Sequence, residues 1–311
     1  MKKNILFEGI YSAIFSVYDE NMNVKKETVR KMVEYQLANG LSGFYVCGNT
    51  GECTVLPKET RKQMLEAVEE YNAGRGKIIC HVGAGHIDEV MELVEHANRR
   101  KIDAIASLPP ALSSYYNAEE ILDYYKILAG KSKYPVIAYV TPVLNCDIEW
   151  FAAEVMRIPN VVGIKLTISD YYEFCNVLKV NNGEINVLNG PDETMLCGLI
   201  CGAQGAIGTT YNFLPRLACD IYSKVKAGDI IGARKCQLKL NEFISLALGK
   251  NLAFWKSFMT VMGFDMGYTV APAKMPSAIE IAELKNKLTA LGYFELIGSD
   301  EKVRKQEELI C

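Results

Sequence analysis

Basic clusters and membrane-length apolar runs are missing from this sequence, and no cleavable leader is expected from its first residues. Its 34 Lys and Arg residues are outnumbered by 37 Asp and Glu residues, which gives a net charge of −3 at pH 7. This balance excludes the electrostatic footprint of a nucleic-acid-binding protein. No apolar run reaches the ~18 residues of a membrane span, and Glu8 interrupts the apolar start of the chain, which argues against a signal peptide. The sequence therefore predicts a cytoplasmic protein with neither a membrane nor a nucleic-acid partner.

The residue spacing of metal sites and structural disulfides is missing as well. The chain has ten Cys, no two of which form a C-x-x-C pair, and only three His, which are His81, His86 and His96. Most of the cysteines lie in or beside apolar segments, which favours buried free thiols in a reducing compartment. The histidines lack ligand spacing and are expected to be structural or exposed. No metal site is predicted.

Short apolar strands alternate with amphipathic helices from the start of the chain to about residue 227. Eight such strand–helix units with short connections predict a (β/α)₈ TIM barrel over residues 1–227. The competing doubly wound fold requires a nucleotide-binding fingerprint, which Gly83-Ala84-Gly85 does not complete because residue 88 is aspartate. Strand patterns end at Gly228, so residues 228–311 are predicted to be a C-terminal helical extension packed on the barrel. Its three predicted helices span residues 229–248, 252–262 and 276–291.

One strand contains a residue that does not suit its position. The apolar run from Val161 to Leu166 is typical of a buried parallel strand, yet it contains Lys165. An unpaired buried ammonium is costly, whereas a neutral amine in such a place is a nucleophile. Tyr139 lies near the end of the preceding strand, so an amine and a phenol are expected to share one mouth of the barrel. The alternative is that the lysine extends into solvent and the tyrosine only packs.

The segments that follow three of the strands are rich in glycine and small polar residues. Active sites of such barrels lie at the C-terminal ends of the strands, where these segments meet. The backbone N–H groups of Gly48–Glu52 are suited to bind an anion such as a carboxylate, although an ordinary tight turn is equally compatible. The segments Asn189–Glu193 and Gly208–Asn212 add carboxylates and hydroxyls at the same rim, suited to a polyhydroxylated substrate.

Four motifs, in this order and spacing, resemble those of one enzyme family. They are Gly48-x-x-Gly51-Glu52, Tyr139-x-x-Pro142, Gly163-Ile164-Lys165-x-Thr167 and Gly205-x-Ile207-Gly208. Together they resemble the class I pyruvate aldolases of the N-acetylneuraminate lyase and dihydrodipicolinate synthase family, and the resemblance covers nearly the whole barrel.

This resemblance implies a role for each motif. Lys165 matches the lysine that forms a Schiff base with the keto carbon, and Tyr139 matches the tyrosine that moves a proton during carbon–carbon cleavage. Asn49 and Thr50 match the loop that holds the carboxylate of the keto acid. The resemblance implies no cofactor, because the protonated imine itself accepts the electrons. It also implies a homotetramer, in which Tyr115 or Tyr116 is a candidate for reaching a neighbouring site.

The resemblance favours the N-acetylneuraminate lyase branch. The synthase branch carries an arginine two positions beyond the proline, where this sequence has Leu144. The sequence departs from the lyase pattern at Asn49, where serine is usual, at Val140 and Cys146, and in the loop of residues 109–117. The residues matching contacts to the sugar tail are Thr167, Gly190, Asp192, Glu193 and Thr209.

The expected function is the cleavage of a 2-keto-3-deoxy sugar acid, N-acetylneuraminate above all, to pyruvate and a sugar aldehyde. The alternatives are a dihydrodipicolinate synthase or another pyruvate aldolase, such as a 2-keto-3-deoxygluconate aldolase. A metabolite-binding barrel without turnover is a third interpretation.

Overall fold

Eight parallel strands close into a barrel in the computed structural model, which describes residues 6–110, 115–144 and 146–298. Each strand pairs with the next along the chain, and the last pairs with the first, which closes the sheet. The predicted TIM barrel is thereby confirmed. The strands are β1 (Gly9–Ala13), β2 (Gly43–Val46), β3 (Lys77–His81), β4 (Ala104–Ser107), β5 (Val136–Val140), β6 (Val161–Leu166), β7 (Asn186–Asn189) and β8 (Gly205–Gly208).

A helix follows each strand and covers the outside of the barrel, as expected for parallel strands joined by crossovers. These helices are α1 (Lys26–Ala38), α2 (Lys58–Asn72), α3 (Ile87–Ala97), α4 (Ala118–Lys131), α5 (Ile148–Met156), α6 (Tyr171–Val177), α7 (Met195–Cys201) and α8 (Pro215–Lys226). Asn117 and Glu120 form a capping box at the start of α4. Helix α6 ends at Val177, and Asn181 and Asn182, which follow it, take the left-handed backbone conformation.

Alternate residues of the strands divide the apolar side chains into two cores, because successive side chains of a strand point to opposite faces. One core fills the barrel interior and includes Tyr11, Tyr45, Ile137 and Leu188. The larger core lies between the strands and the surrounding helices. Both faces of the strands are buried in these cores. A ligand can therefore reach polar residues of the strands only at the C-terminal mouth of the barrel.

The C-terminal helices pack against the barrel. They are α9 (Ile230–Ser245), α10 (Leu252–Val261), α11 (Ala278–Ala290) and α12 (Tyr293–Ile297). Phe258 stacks on Phe213 with ring centroids 4.3 Å apart, and the Tyr293 hydroxyl donates a hydrogen bond to the carbonyl of Phe213. The prediction of three helices missed α12, which begins after Gly292 takes a left-handed backbone conformation (φ 70°). The division of the chain at residue 227 remains a prediction.

Among the described residues, none of the helices combines the length and apolar character that crossing a bilayer requires.

Candidate active site

Lys165 and Tyr139 are paired directly across neighbouring strands, each at the next-to-last position of its strand. Both side chains are only 6% exposed. The Lys165 Nζ atom lies 4.1 Å from the centre of the Tyr139 ring. In the part of the chain that the structure describes, no carboxylate forms an ion pair with this amine. The lysine therefore does not extend into solvent, and the amine and the phenol share the barrel mouth.

Tyr45 forms a second aromatic wall beside the lysine. It is fully buried on β2, its ring centre lies 4.7 Å from Lys165 Nζ, and its ring meets that of Tyr139 edge to face at 6.5 Å. Its hydroxyl has no hydrogen-bond partner among the described residues. Burial raises the pKa of this phenol well above its usual value, so it stays protonated. The arrangement is suited to stabilise a positive charge at Nζ, by ~0.5–2 kcal/mol for each ring.

Hydrogen bonds from neighbouring elements hold Tyr139 in place. Its backbone N–H donates to the Tyr125 hydroxyl of α4 at 3.2 Å. That hydroxyl in turn donates to the carbonyl of Ser107, the last residue of β4, at 2.7 Å. The end of β5 is thus tied to the end of β4 through a buried side chain, which limits the movement of the phenol.

The loop after β2 presents unpaired backbone donors. The N–H groups of Gly48, Asn49, Thr50 and Gly51 donate to no other group within the described residues. The next two N–H groups fold back onto the loop, since those of Glu52 and Cys53 bond the carbonyls of Asn49 and Gly48 at 2.9 and 3.2 Å. Free N–H groups at the start of such turns resemble a helix N-terminus, which favours anions. The loop therefore has the donors that the predicted carboxylate site needs.

Thr50 and Thr209, two of the predicted site residues, connect the loop after β2 with the loop after β8. The hydroxyls of Thr50 and Thr209 lie 2.7 Å apart, so the loops after β2 and β8 are in contact. Asn49 is exposed, and its side-chain oxygen accepts a hydrogen bond from the Cys53 thiol at 3.4 Å. Asn49 thus presents its backbone to the rim while its side chain is engaged within the loop.

The rim between β6 and β7 holds Thr167 and Gly190 in close contact. A Cβ atom on Gly190 would lie 1.8 Å from Thr167 Oγ1, so only glycine fits at this position. The Thr167 hydroxyl is buried and has no partner among the described residues. It therefore has hydrogen-bonding capacity that no described residue uses.

The two neighbouring carboxylates after β7 differ in environment. Asp192 is buried, and one of its oxygens accepts a hydrogen bond from the Thr210 N–H at 2.7 Å. Burial raises the pKa of Asp192 to about 6, although the Thr210 hydrogen bonds and the positive charge of Lys165 oppose this shift. Glu193 is exposed. Asp192 is therefore suited to contact a ligand inside the site, and Glu193 is suited to contact one at its entrance.

A comparison with known protein families gives a match over nearly the entire described chain. The model of the dihydrodipicolinate synthetase family matches residues 6–291. The chain belongs to this family. The resemblance drawn from the four motifs is thus confirmed, and the match includes all four of them.

Relatives within the family are consistent in name. The N-acetylneuraminate lyase of Rhizobium meliloti is 31% identical over 280 residues, which are 89% of this chain and 93% of that protein. The N-acetylneuraminate lyase of Mediterraneibacter gnavus is 30% identical over 288 residues, or 88% of each chain. The solved N-acetylneuraminate lyase of Proteus mirabilis superposes with a TM-score of 0.86 at 27% identity, covering 92% of this chain and 99% of its own.

A further solved structure is that of the catalytic lysine mutant of the Ruminococcus gnavus sialic acid aldolase. It has a TM-score of 0.85 at 27% identity and covers 94% of this chain and 99% of its own. Family membership and these relatives make the chain a carbon–carbon lyase, a class I pyruvate aldolase of the dihydrodipicolinate synthetase family. At that level the predicted activity is confirmed.

Several residues around the family site carry no signal in the sequence pattern. Tyr45 looks like an ordinary strand aromatic until the barrel closes and brings it beside Lys165. Arg61 of α2 is buried and donates to the carbonyls of His81, Gly83 and Cys53, which ties the loop after β2 to the end of β3. The one available clue to Arg61 is its place on the apolar face of an amphipathic helix.

The histidines and cysteines play mostly structural parts. His81 is buried and accepts a hydrogen bond from the Leu108 N–H, and burial lowers the pKa of its imidazole, which is therefore neutral. His96 contacts Glu66 at 2.9 Å, and His86 is exposed. All nine cysteines that the structure describes are free. The expectation of buried thiols is wrong for Cys197, because it lies on the solvent side of α7.

The loop that departs most from the lyase pattern lies only partly within the described residues. Residues 111–114 and Asn145 are outside them. Tyr115 and Tyr116 are 78% and 48% exposed. Leu144, which stands at the position of the synthase arginine, is buried, and Cys146 is half-buried. Leu144 therefore offers the mouth no cation that could bind a second carboxylate.

Proposed function

We propose that the chain cleaves a 2-keto-3-deoxy sugar acid, N-acetylneuraminate in the first place, to pyruvate and a sugar aldehyde. The observation that carries the proposal is the buried, unpaired amine of Lys165 beside the phenol of Tyr139. The amine attacks a carbonyl carbon through the lone pair of its neutral form, which an ion pair with a carboxylate would disfavour, and the adjacent phenol can move the protons of the reaction.

The reaction begins when Lys165 Nζ attacks the keto carbon of the substrate. Loss of water gives the protonated imine, and the phenol proton of Tyr139 passes to the departing water. Tyr139 then accepts the proton of the C4 hydroxyl as the C3–C4 bond breaks. The electron pair of that bond moves into the imine, which becomes an enamine, and the aldehyde leaves. Return of the proton to C3 and hydrolysis of the imine release pyruvate and restore Lys165.

The other predicted residues hold the two ends of the substrate. The free N–H groups of Gly48–Gly51, with Thr50, are suited to bind the carboxylate of the keto acid. Thr167, Asp192, Glu193 and Thr209 offer hydroxyls and carboxylates to the polyhydroxylated tail, and Gly190 leaves space for it. The proposal assigns Asn49 to the carboxylate loop through its backbone.

The alternatives differ in the aldehyde partner or in turnover. A dihydrodipicolinate synthase is disfavoured by Leu144, and a 2-keto-3-deoxygluconate aldolase would use the same lysine. A barrel that binds without turnover would form the imine and release no product. The proposal includes a homotetramer. It also includes a cytoplasmic location, which the free cysteines favour because thiols stay reduced there.

Borohydride trapping with pyruvate tests the chemistry directly. The reduced adduct is expected on Lys165, identified by intact mass and peptide mapping. Lys256, the other buried lysine among the described residues, serves as an internal control and should stay unmodified. An adduct elsewhere, or none with folded protein in excess pyruvate, contradicts the mechanism.

Substrate assays then separate the alternatives. Release of pyruvate from N-acetylneuraminate at a rate at least tenfold above that from 2-keto-3-deoxygluconate supports the lyase assignment, since ~1.4 kcal/mol of transition-state discrimination gives this ratio. Efficient condensation with aspartate semialdehyde would instead support the synthase.

A further inference from the structure

A buried ion pair joins the C-terminal helices to the loop that carries the free N–H groups. Lys256 of α10 donates to the Glu52 carboxylate at 2.6 Å, and both side chains are almost fully buried. The other oxygen of this carboxylate accepts a hydrogen bond from the Tyr18 hydroxyl at 2.9 Å. The Lys256 ammonium also lies 4.7 Å from the centre of the Tyr18 ring and 3.5 Å from the carbonyl of Tyr268.

The backbone of this loop is held in a conformation that its residues do not prefer. Glu52 has a φ of 61° and Cys47 a φ of 59°, although neither is a glycine. A non-glycine residue in this left-handed region costs ~1–3 kcal/mol and persists only where its surroundings fix it. The four free N–H groups lie between these two residues, so the loop's direction depends on what holds its ends.

The Glu52 end is held by side chains rather than by regular structure. Its carboxylate is fixed by Lys256 and Tyr18, and the adjacent carbonyl of Gly51 accepts a hydrogen bond from the Ser16 hydroxyl at 2.8 Å. Burial lowers the pKa of Lys256, while the Glu52 charge opposes this shift and keeps the pair together. A buried pair of this kind is weak evidence for stability in itself, because desolvation offsets the attraction. The position of the pair at the end of the loop is more informative about its role than its contribution to stability.

We propose that Glu52 and Lys256 are positioning residues, which fix the loop so that its N–H groups point at the carboxylate of the bound keto acid. This inference rests on the proposed function, because it names what sets the affinity for pyruvate. Neither residue touches the reacting atoms. The pair therefore acts on the binding of the keto acid and leaves the covalent step at Lys165 largely unchanged.

The double variant Glu52→Gln/Lys256→Met tests the proposal, because it removes both charges and leaves no unpaired buried ion. The pyruvate concentration for half-maximal borohydride trapping is expected to rise about tenfold or more, which corresponds to the loss of one hydrogen bond to a charged group. The trapping plateau on Lys165 should be unchanged. The Michaelis constant for the sugar acid should rise likewise, with the turnover number within about threefold of wild type, since the lost binding is equal in the ground state and the transition state.

A second ion pair between the same two parts of the chain is the matched control. The half-buried Lys25 of the barrel contacts the exposed Asp265 of the C-terminal region, and neither side chain bonds the loop within the described residues. The variant Lys25→Met/Asp265→Asn should keep the wild-type half-saturating pyruvate concentration. Equal effects in both double variants would overturn the proposal, as would a folded Glu52→Gln/Lys256→Met enzyme with wild-type half-saturation.

Tyr18→Phe provides a milder test should the double variant fail to fold. It removes one hydrogen bond to the Glu52 carboxylate and keeps the aromatic ring, and about a threefold rise in half-saturation is expected. An unchanged half-saturation in Tyr18→Phe would then overturn the proposal. Failure of the proposed function is recognised separately, because in that case the wild-type enzyme itself traps no pyruvate on Lys165.

Discussion

The amine of Lys165 lies 4.1 Å from the centre of the Tyr139 ring, and the two residues are register partners on β6 and β5. A register shift of one residue would point one of these side chains into the outer core instead. The chemistry therefore depends on the backbone pairing of two strands as much as on the identity of the two residues.

Removal of the Tyr139 hydroxyl is expected to separate imine formation from cleavage. Tyr139→Phe keeps the ring beside Lys165, so pyruvate should still be trapped by borohydride, although more slowly, because the phenol no longer supplies a proton to the departing water. The rate of sugar-acid cleavage should fall ~10²–10⁴-fold, the usual contribution of a general acid–base group. Lys165→Ala is the comparison and should abolish both trapping and cleavage. Wild-type cleavage by Tyr139→Phe would remove this residue from the proton transfer.

The ring of Tyr45 is expected to matter more than its hydroxyl. Tyr45→Phe loses a hydroxyl that has no partner among the described residues, so activity should stay within about threefold of wild type. Tyr45→Leu loses the aromatic face that lies 4.7 Å from Nζ, and the rate of imine formation should fall about 3- to 30-fold. Single-turnover trapping measures this rate. Equal losses in the two variants would show that the hydroxyl is the active part.

The Thr167 hydroxyl is expected to contribute to binding of the sugar tail and not to binding of the keto acid. Its hydroxyl makes no hydrogen bond to any described residue, so Thr167→Val should unfold at nearly the same urea concentration as wild type. Pyruvate trapping should be unchanged, while kcat/KM for the sugar acid should fall about tenfold, as for one lost hydrogen bond. Thr167→Ser keeps the hydroxyl and should keep most of the activity. A loss of pyruvate trapping in Thr167→Val would place this hydroxyl at the keto acid instead.

Asp192 is expected to make the stability depend on pH. Its pKa is raised from the ordinary 3.8 to about 6, so the folded state binds this proton more tightly than the unfolded state. The stabilising contribution is complete below about pH 4 and is lost as the pH rises through about 6. Asp192→Asn avoids the buried charge and still offers an oxygen to the Thr210 N–H. It should therefore gain ~1–3 kcal/mol relative to wild type between pH 5 and pH 8.

Urea unfolding of wild type and Asp192→Asn at these two pH values measures this difference. The same stability difference at both would contradict the assigned burial effect. The variant should also cleave the sugar acid more slowly, since the proposed contact of Asp192 with the tail loses its charge.

Much of the barrel follows from local sequence, whereas contacts between distant segments do not. The limits of β6 match the predicted run from Val161 to Leu166, because a continuous apolar run bounded by turn residues defines them. The short helix α12 was missed, since five residues after Gly292 leave too little periodicity to detect. Lys165 was conspicuous because a charge in an apolar strand is costly. Tyr45 and Lys256 were not, because tyrosine in a strand and lysine in a helix are common and only the closed fold brings them to the site.

The contact between Glu52 and Lys256 spans 204 positions of the chain, so it can form only after most of the chain has been synthesised. A ribosome releases the strands and the site lysine well before it releases α10. Until then Glu52 lacks its Lys256 partner, and because burying an unpaired carboxylate is costly, an open loop is favoured. The growing chain thus acquires its nucleophile first and a fixed carboxylate-binding loop last. An incomplete chain that ends before residue 256 would contain Lys165 and lack the partner that fixes Glu52.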